Sequence, residues 1–441
     1  MDAVLLARIQ FALTVCFHYI FPPLSIGLGW MLFGYQTAFL RTGKPFYQQL
    51  SRFWMRMFAI TFAIGVATGI TMEFQFGTNW AAYSRFVGDI FGAPLAAEGV
   101  FSFFLESSFL GILLYGEHRV SRRTYWLSSL LVAVGATLSA FWIVVANSWQ
   151  QTPAGYHILN GRAELTSFWE AVFNPSTLPR YLHVIAAALV AGTFFVLGMS
   201  ALMLLKKKHV EFAERSLQTA ILPAFVAVLM VAGIGHLHGS QVARTQPAKL
   251  AAIEGLWETQ ARAPLLLFGV PNVGAERTEL ALEVPGLLSY LIGSTSDYKV
   301  QGLKAFPRED RPPVLATFVS FHVMLYLGGW FALLAVWGLL LWWRGRLASS
   351  PMYLAAAALT LPLPTIANQT GWMAAEVGRQ PWVVYNLMRT RDAISASVPA
   401  GQVLASILLF ATIYALLFGV WVYLLGRQFN KGPQLLQGEV R

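Results

Sequence analysis

Residues 314–343 have the sequence VLATFVSFHVMLYLGGWFALLAVWGLLLWW, a stretch without Asp, Glu, Lys or Arg. A helix needs about 20 mainly apolar residues to cross the hydrocarbon core of a bilayer. This stretch is longer than that, so it predicts a membrane-spanning helix. It also contains His322 and Met324, two side chains that can bind a metal.

Eight further apolar runs of comparable length occur along the chain. They predict spans near residues 11–38, 55–77, 95–116, 125–149, 181–205, 217–237, 352–375 and 402–426. The composition agrees, because 56% of the 441 residues are hydrophobic, only 12% are charged and the mean hydropathy is +0.56. So few charges cannot cover a water-facing surface. We therefore predict an all-α integral membrane protein, a bundle of about nine transmembrane helices.

The basic residues predict the orientation of this bundle. They cluster in alternate loops and after the last span, as Arg41, Lys44, Arg52, Arg119, Arg122, Arg123, Lys206, Lys207, Lys208, Arg215, Arg344, Arg346, Arg427 and Lys431. The positive-inside rule assigns those loops to the cytoplasm, which places the N-terminus outside and the C-terminus inside. The basic residues form no stripe interleaved with aromatic residues, so the net charge of +10 does not indicate nucleic-acid binding.

Three parts follow from this pattern. Residues 1–237 would hold helices one to six, residues 238–313 an external loop, and residues 314–441 helices seven to nine. Long loops in compact proteins are usually functional or disordered. Within the loop, Lys249 and Glu254 are five residues apart and share no helix face, so by themselves they indicate solvated charges.

Several side chains at membrane depth can ionise or bind a metal. They are His18, Glu73, Glu98, Glu106, His183 and Glu376, with Met324 as a neutral soft donor. A charge in hydrocarbon costs at least about 2.5–3.5 kcal/mol, so each ionisable side chain at this depth requires a structural or functional explanation. Singly, a histidine or methionine in an apolar helix is more often a packing residue. The predicted topology nevertheless places the possible ligands together, in the outer half of the bundle.

Haem suits these side chains better than the other metal groups do. Its iron accepts imidazole nitrogen and thioether sulfur, whereas carboxylates can bind a high-spin haem or move protons. The single cysteine, Cys16, excludes an iron–sulfur cluster and a Cys-rich zinc site. Glu98, Ser102 and Glu106 follow i, i+4, i+8 spacing, which predicts a polar stripe along one helix. Such a stripe serves helix–helix hydrogen bonding or a proton path, and two carboxylates favour the proton path.

Six segments resemble, in order, subunit I of the cytochrome bd-type quinol oxidases. They are QFALTVCFHYIFPPL around His18, GVATGITMEFQFGTNW at 65–80, GDIFGAPLAAEGVFSFFLESSFLG at 88–111, LSAFWIVVANSW at 138–149, KLAAIEGLWET at 249–259 and GRQPW at 378–382. The similarity extends over nearly the whole chain, and the external loop is of the family's short type. It implies a haem-bearing oxidase subunit.

The resemblance also implies a set of haem ligands. His183 and Met324 match the axial ligands of a low-spin haem b that accepts electrons from quinol. His18, Glu98 and Glu376 match residues at two high-spin haems, one haem b and one haem d or further haem b, without assignment to either. His322 stands where many relatives carry Arg, and it offers a rival histidine ligand, although Met324 fits the family pattern.

Further roles follow from the same resemblance. Glu106, Ser107 and Ser139 match a proton route from the cytoplasm. Lys249 and Glu254 match residues of quinol oxidation in the external Q-loop. Arg379, Gln380 and Trp382 match the GRQPW site, near haem propionates.

The implied enzyme is a quinol oxidase of the bacterial inner membrane. It would oxidise quinol at the outer face and reduce O2 to water with cytoplasmic protons. Its partners would be a second membrane subunit, a small single-helix subunit in some complexes, and lipid. Two alternatives remain open: an oxidase of the same family with only b-type haems, and a haem-free membrane transporter whose buried carboxylates carry substrate or ions.

Overall fold

The structure is a computed structural model that describes residues 2–434, except the side chains of residues 76 and 77. Residue 1 and residues 435–441, the ends of the predicted first and last parts, lie outside the described residues. The helices are α1 Ala3–His18, α2 Phe21–Thr42, α3 Pro45–Thr78, α4 Ala81–Ala97, α5 Phe104–Tyr115, α6 Arg122–Gln151, α7 Phe168–Val172, α8 Thr177–Leu205, α9 Val210–Thr245, α10 Pro247–Ile253, α11 Leu287–Gly293, α12 Val314–Trp343, α13 Pro351–Leu359, α14 Leu363–Val377 and α15 Ala400–Lys431.

Three two-stranded antiparallel hairpins accompany these helices. Their strands are β1 Tyr156–Leu159 with β2 Arg162–Leu165, β3 Leu265–Asn272 with β4 Arg277–Val284, and β5 Trp382–Val384 with β6 Met388–Arg389. All three lie in connections between helices, where short hairpins satisfy backbone hydrogen bonds that no helix covers.

Eight stretches of the described chain are helical and are long and apolar enough to cross a membrane. They are Ala3–Thr42, Pro45–Gln75, Ala81–Tyr115, Arg122–Gln151, Thr177–Leu205, Val210–Thr245, Arg308–Trp343 and Ala400–Lys431. Each overlaps one of the predicted spans; six contain the whole span, and the stretches that end at Gln75 and Tyr115 stop one or two residues before the predicted ends at 77 and 116. Large apolar side chains such as Phe104 and Leu333 are exposed on the outside, as a lipid-facing surface requires. The predicted all-α membrane class is confirmed.

The ninth predicted span, residues 352–375, is divided into two helices. α13 ends at Leu359 and α14 begins at Leu363, with a turn through Thr360 and Pro362 between them. Proline has no backbone N–H and its ring collides with the carbonyl four residues earlier, so the helix breaks here. The two halves still pack in the bundle, α13 against α8 and α14 against α12.

Helix α8 is the most buried of the spanning helices, and its tightest contact is with α2. A Cβ atom at Gly27 would lie 2.2 Å from the carbonyl oxygen of Ala188 and 2.7 Å from the Cα of Gly192. Small residues four apart let membrane helices approach to backbone contact, where van der Waals packing replaces the hydrophobic effect as the driving force. The α2–α8 crossing therefore depends on these three small residues.

The long loop before α12, which we call the outer loop after its predicted side of the membrane, is a folded unit. Helix α9 extends to Thr245, further than residue 237 where its end was predicted, so the loop begins at Gln246. It contains α10, the β3–β4 hairpin and α11, and it has two small cores. One core is formed by Leu250, Leu256, Ala263, Leu288 and Val300, and the other by Ala251, Ala252, Trp257, Leu303 and Val314. Because Val314 begins α12, the second core joins the loop to the bundle.

The α2–α8 contact can be tested with one methyl group. Gly27→Ala should destabilise the protein by about 1–3 kcal/mol, because the added Cβ cannot avoid the α8 backbone. Gly34→Ala in the same helix is the control, since a Cβ there meets no described atom within 4 Å. Thermal unfolding in detergent should show a lower melting temperature for Gly27→Ala alone. Equal melting temperatures for the two variants would contradict the packing account.

Candidate functional site

A cavity of about 1130 Å³ lies between the helices. Pockets for a single small ligand are typically roughly 300–1,000 Å³, so this space is large enough for an extended group. Seven of the residues that the family resemblance assigns a role line it, namely His18, Glu98, Glu106, Ser139, Glu376, Arg379 and Gln380, and so does the further candidate Glu73. The structure thus brings together side chains from α1, α5, α6, α14, the segment that joins α4 to α5 and the loop after α14.

His18 is held on one wall of this cavity by α3. Its Nδ1 lies 3.0 Å from the hydroxyl of Thr68, and that hydroxyl also lies 3.0 Å from the carbonyl oxygens of Ile64 and Gly65. A threonine hydroxyl has one proton, and carbonyl oxygens only accept hydrogen bonds. Thr68 therefore donates to a carbonyl and accepts from His18 Nδ1–H. This tautomer leaves the lone pair of Nε2 available to a metal.

Glu98 lies at the start of a π-helical segment, Glu98–Phe103, that joins α4 to α5. The helical stretch begins at Ala81, so Glu98 lies near its middle, whereas in the predicted span 95–116 it lies near the start. The π turn changes the residue spacing, so the predicted α-helical spacing does not hold from Glu98 to Ser102, although Glu98 and Glu106 both line the cavity. Single π turns within α-helices are frequent at functional sites.

The three residues of the predicted proton route make different contacts. Ser139 donates a hydrogen bond of 2.6 Å to Glu98. Ser107 bonds the carbonyl of Phe103 in its own helix at 2.7 Å. Glu106 is buried against α6, where a Cβ on Gly135 would lie 3.0 Å from the Cβ of Glu106. Ser139 therefore links α6 to Glu98, whereas the hydroxyl of Ser107 is bonded to the backbone of its own helix.

Glu376 is the centre of a buried polar network at the end of α14. Asn147 and Gln151 of α6 each donate to its Oε1 at 3.0 Å. Arg379 forms an ion pair with its Oε2, and Arg180 of α8 lies 3.7 Å from Oε1. Glu376 is the last residue but one of α14, which ends at Val377.

The positive charges of this network outnumber its negative charges. Arg180 and Arg379 both face the single carboxylate of Glu376, and guanidinium groups do not lose their proton in proteins. The Nε atoms of both arginines are buried without a hydrogen-bond partner among the described residues. An unpaired buried donor is costly, so the site favours an anion that reaches both. A haem, which carries two carboxylates on its rim, fits this requirement and the volume of the cavity.

Lys249 of the outer loop joins the same network. Its side chain is 3% exposed, and its Nζ donates to Gln151 and Gln246, each at 2.5 Å. Burial, together with repulsion from Arg180, holds the pKa of Lys249 well below its usual value. Gln151 therefore bridges Lys249 to Glu376, which links the loop to the cavity.

Glu254 is also buried, with 5% exposure, and its Oε2 has no hydrogen-bond partner among the described residues. Burial raises its pKa to about 8. The interpretation of Lys249 and Glu254 as solvated charges is wrong for both residues. Within residues 2–434 no ion pair joins them, and Lys249 is directed at the Glu376 network instead.

His183 and Met324 each lie against a glycine of a neighbouring helix. A Cβ at Gly235 of α9 would lie 3.2 Å from the His183 ring, and one at Gly371 of α14 would lie 2.5 Å from the Met324 sulfur. Helices α8 and α12 both pack on α9 and α14 but make few contacts with each other. Among the described residues, Nδ1 of His183 has no hydrogen-bond partner. His183 lies in the second turn of α8, because that helix begins at Thr177.

His322, the rival to Met324, has both ring nitrogens engaged. Nδ1 lies 3.0 Å from the carbonyl oxygen of Phe318, and Nε2 lies 3.2 Å from that of Leu266 in the outer loop. A neutral imidazole has one N–H, so it donates to one of these carbonyls, and its other nitrogen is directed at the second carbonyl oxygen and not at an open space. The contacts of His322 favour Met324 as the ligand.

The GRQPW segment connects the network to the last hairpin. Arg379 donates to Gln150 at 2.8 Å, and Thr390 donates to Gln380 at 2.7 Å. Trp382 lies in β5 under the guanidinium of Arg389, whose Cζ is 4.6 Å from the ring centre. Gln380 and Trp382 therefore hold the loop in shape around Arg379.

Sequence reasoning did not identify five residues of this site. They are Asn147, Gln150, Gln151, Arg180 and Gln246. Arg180 could have been found, because it precedes His183 by one turn and lies inside an apolar helix. The asparagine and glutamines carry no charge, and in sequence they look like ordinary residues at a helix end.

Comparison with known proteins gives consistent matches. A family model described as cytochrome bd terminal oxidase subunit I matches residues 6–433. The chain is 41% identical to cytochrome bd ubiquinol oxidase subunit 1 of Bacillus subtilis, over 98% of this chain and 95% of that protein. It is 36% identical to cytochrome bd-II ubiquinol oxidase subunit 1 of Escherichia coli, over 99% and 98%.

One solved structure is similar over almost its whole length. The bd oxidase from Geobacillus thermodenitrificans superposes with a TM-score of 0.92 at 32% identity, covering 98% of this chain and 99% of that one.

Proposed function

The chain belongs to the cytochrome bd terminal oxidase subunit I family, and from this membership we propose how its own residues oxidise quinol and serve oxygen reduction. It is the haem-containing subunit of a quinol oxidase, a multi-pass protein of the bacterial inner membrane that acts in a multi-subunit complex. The haem-free transporter is not favoured, because the whole chain matches oxidases.

We assign the haems by the cavity and its ligands. His183 and Met324 would hold a low-spin haem b, and His18, Glu98 and Glu376 would serve two high-spin haems, one haem b and one haem d. A further haem b in place of haem d is the alternative. When bound, these haems supply electron transfer and the iron at which O2 is reduced to water. The observation that carries the high-spin part of this assignment is the 1130 Å³ cavity, whose wall bears His18, Glu98 and Glu376 together, whereas His183 and Met324 lie outside its lining and are assigned from the family pattern.

Quinol oxidation belongs to the outer loop in this proposal. Glu254 accepts a proton from the quinol hydroxyl, for which a carboxyl with a pKa of about 8 is well matched to neutral pH. Lys249, held by Gln151 and Gln246, binds the second oxygen of the quinol ring. With the basic loops in the cytoplasm, protons released by quinol leave on the outer side.

Protons consumed at the cavity would come from the cytoplasmic side past Glu106. Glu106 and Glu98 both line the cavity, and Ser139 holds Glu98 in place. Each charge that crosses this way works against about 2.3 kcal/mol per 100 mV of membrane potential. The enzyme therefore separates charge without a pump.

The partner proposed is a second membrane subunit, with a small single-helix subunit in some complexes. The lipid-exposed apolar faces of the bundle are the surfaces available to them. The relatives are named for ubiquinol and, in one putative Bacillus subtilis protein, for menaquinol, so either quinol is proposed as substrate.

The function is tested with the assembled complex in lipid vesicles. Quinol should drive oxygen uptake and reduce a b-type haem in the unsubstituted protein. His183→Ala should abolish that haem signal and reduce uptake at least a hundredfold, because the iron loses a ligand. His157→Ala, in the exposed β1–β2 hairpin, should change neither. Retention of the low-spin haem in His183→Ala would contradict the assignment.

The proton route is tested by Glu106→Gln, which removes the titratable group but keeps its shape. Oxygen reduction should slow by a factor of about 10²–10⁴, since a positioned acid or base contributes that much. Reduction of the low-spin haem by quinol should be unaffected. Rapid-mixing absorption kinetics separate these two steps, and Glu170→Gln, at an exposed residue of α7, is the control. Equal slowing of both steps would count against the route.

The role of Glu254 predicts a pH dependence. Only the carboxylate accepts a proton, and its pKa is raised to about 8, so the rate of quinol oxidation should rise with pH through about 8. Glu254→Gln should lower this rate strongly and remove the pH dependence. Glu258→Gln, an exposed neighbour paired with Lys304, should keep both. The measurement is steady-state quinol oxidation from pH 6 to 9, and a flat profile for the unsubstituted enzyme would contradict the role.

A further inference from the structure

The outer loop touches α12 at two consecutive backbone carbonyls. His322 Nε2 lies 3.2 Å from the oxygen of Leu266, and the hydroxyl of Tyr326 donates to the oxygen of Leu267 at 2.6 Å. Both side chains come from the same face of α12, one turn apart, with Met324 between them in the sequence. We propose that this pair, which we call the β3 clamp, positions the outer loop for quinol oxidation. The role rests on the function proposed above.

The strand is shaped to make these contacts. β3 pairs with β4 at Leu266 and again at Phe268, with an irregularity between them that leaves Leu267 out of the ladder. A bulge of this kind re-aims the backbone groups of the extra residue. Here the carbonyl of Leu267 accepts the hydrogen bond from Tyr326. The irregularity of the hairpin therefore coincides with its docking on α12.

The His322 side of the clamp is built into the bundle. The ring is buried and stacks on Phe318, with ring centres 3.9 Å apart and planes inclined by 24°. The stacking holds the ring in place, and in the Nε2–H tautomer its single imidazole proton is donated to the carbonyl of Leu266. Tyr326 is about half exposed, and Tyr326→Phe removes its hydroxyl contact while keeping the ring that packs edge-on against His322.

The clamp is connected to Glu254 through β4. Thr278 of β4 donates to the carbonyl of Gly255 at 2.7 Å and accepts from the indole of Trp257 at 3.2 Å. Gly255 has φ of +59°, and a Cβ there would lie 2.9 Å from the Thr278 hydroxyl and 3.1 Å from the Phe318 ring. The turn after Glu254 is therefore held between β4 and α12.

These contacts make His322 and Tyr326 positioning residues. They need not touch quinol. They hold the β3–β4 hairpin in place, and this hairpin in turn holds the turn that follows Glu254. Because the same helix carries Met324, the clamp sets the place of the proposed proton acceptor relative to the proposed haem ligand. Loss of the clamp should weaken quinol binding more than it slows turnover at saturating quinol.

The test uses the complete oxidase complex with Tyr326→Phe, His322→Phe and the double variant. Each substitution keeps an aromatic ring and removes the contact to the loop. The control is Tyr423→Phe, which removes a hydroxyl from an exposed tyrosine of α15. Three quantities are measured: deuterium uptake by residues 265–284, KM and kcat for quinol, and the dithionite-reduced absorption spectrum.

The double variant should take up deuterium faster in β3 and β4, and its KM for quinol should rise about three- to tenfold. Its kcat should change less than its KM, and its reduced spectrum should match that of the unsubstituted complex. Tyr326→Phe alone should show a smaller change in the same direction, which keeps the test valid if His322→Phe assembles poorly.

Unchanged deuterium uptake in both single variants would overturn the clamp. Faster uptake with an unchanged KM would overturn its positioning role. A changed low-spin haem spectrum in His322→Phe, with unchanged uptake, would show that His322 acts on the haem. Failure of the proposed function is distinguishable, because it would appear in the unsubstituted complex as the absence of quinol-driven haem reduction.

Discussion

The ion pairs around Glu376 are the constraint on which the site depends. Two arginines, Arg180 from α8 and Arg379 after α14, face one carboxylate inside the bundle. Charges removed from water are tolerated only when they are paired and hydrogen-bonded. Asn147 and Gln151 supply part of this compensation, and each belongs to α6. The need to satisfy these charges thus fixes α6, α8 and α14 relative to one another.

The same network explains why the outer loop is folded. Lys249 reaches Glu376 through Gln151, and the burial of Lys249 and Glu254 requires α10 to dock closely on the bundle. The two small cores of the loop and its hydrogen bonds to α12 provide that docking. A solvated, mobile loop could not keep two ionisable groups buried, because water would restore their ordinary pKa values. The proposed quinol chemistry therefore requires a folded loop, because only a folded loop keeps Lys249 and Glu254 buried.

Much of the fold could be predicted from the sequence, because apolar length decides membrane spans. The span at 314–343 was placed with its observed ends, since Pro313 precedes it and Arg344 follows it. The break in the ninth span could have been foreseen from Pro362 and Pro364, which follow each other closely inside an apolar run. The π segment at Glu98 could not, because no residue type encodes it.

The site was less predictable than the fold. His18, Glu98, Glu106 and Glu376 were identified by the cost of charge at membrane depth, and the structure places all four on one cavity. The partners of Glu376 depend on which helix ends meet, and uncharged residues such as Gln151 give no signal before that is known. The burial of Lys249 also depends on a long-range contact, which the spacing of charges along the loop cannot reveal.

The central claim is that the cavity and its buried arginines hold haem, and the most direct measurement is an absorption difference spectrum. Membranes containing this chain and its partner subunit are compared after dithionite reduction and after air oxidation. The account predicts a b-type haem signal together with a red-shifted chlorin band from haem d. A b-type signal alone would place a further haem b in the cavity and leave the ligands unchanged. No haem signal from correctly folded protein would contradict the account.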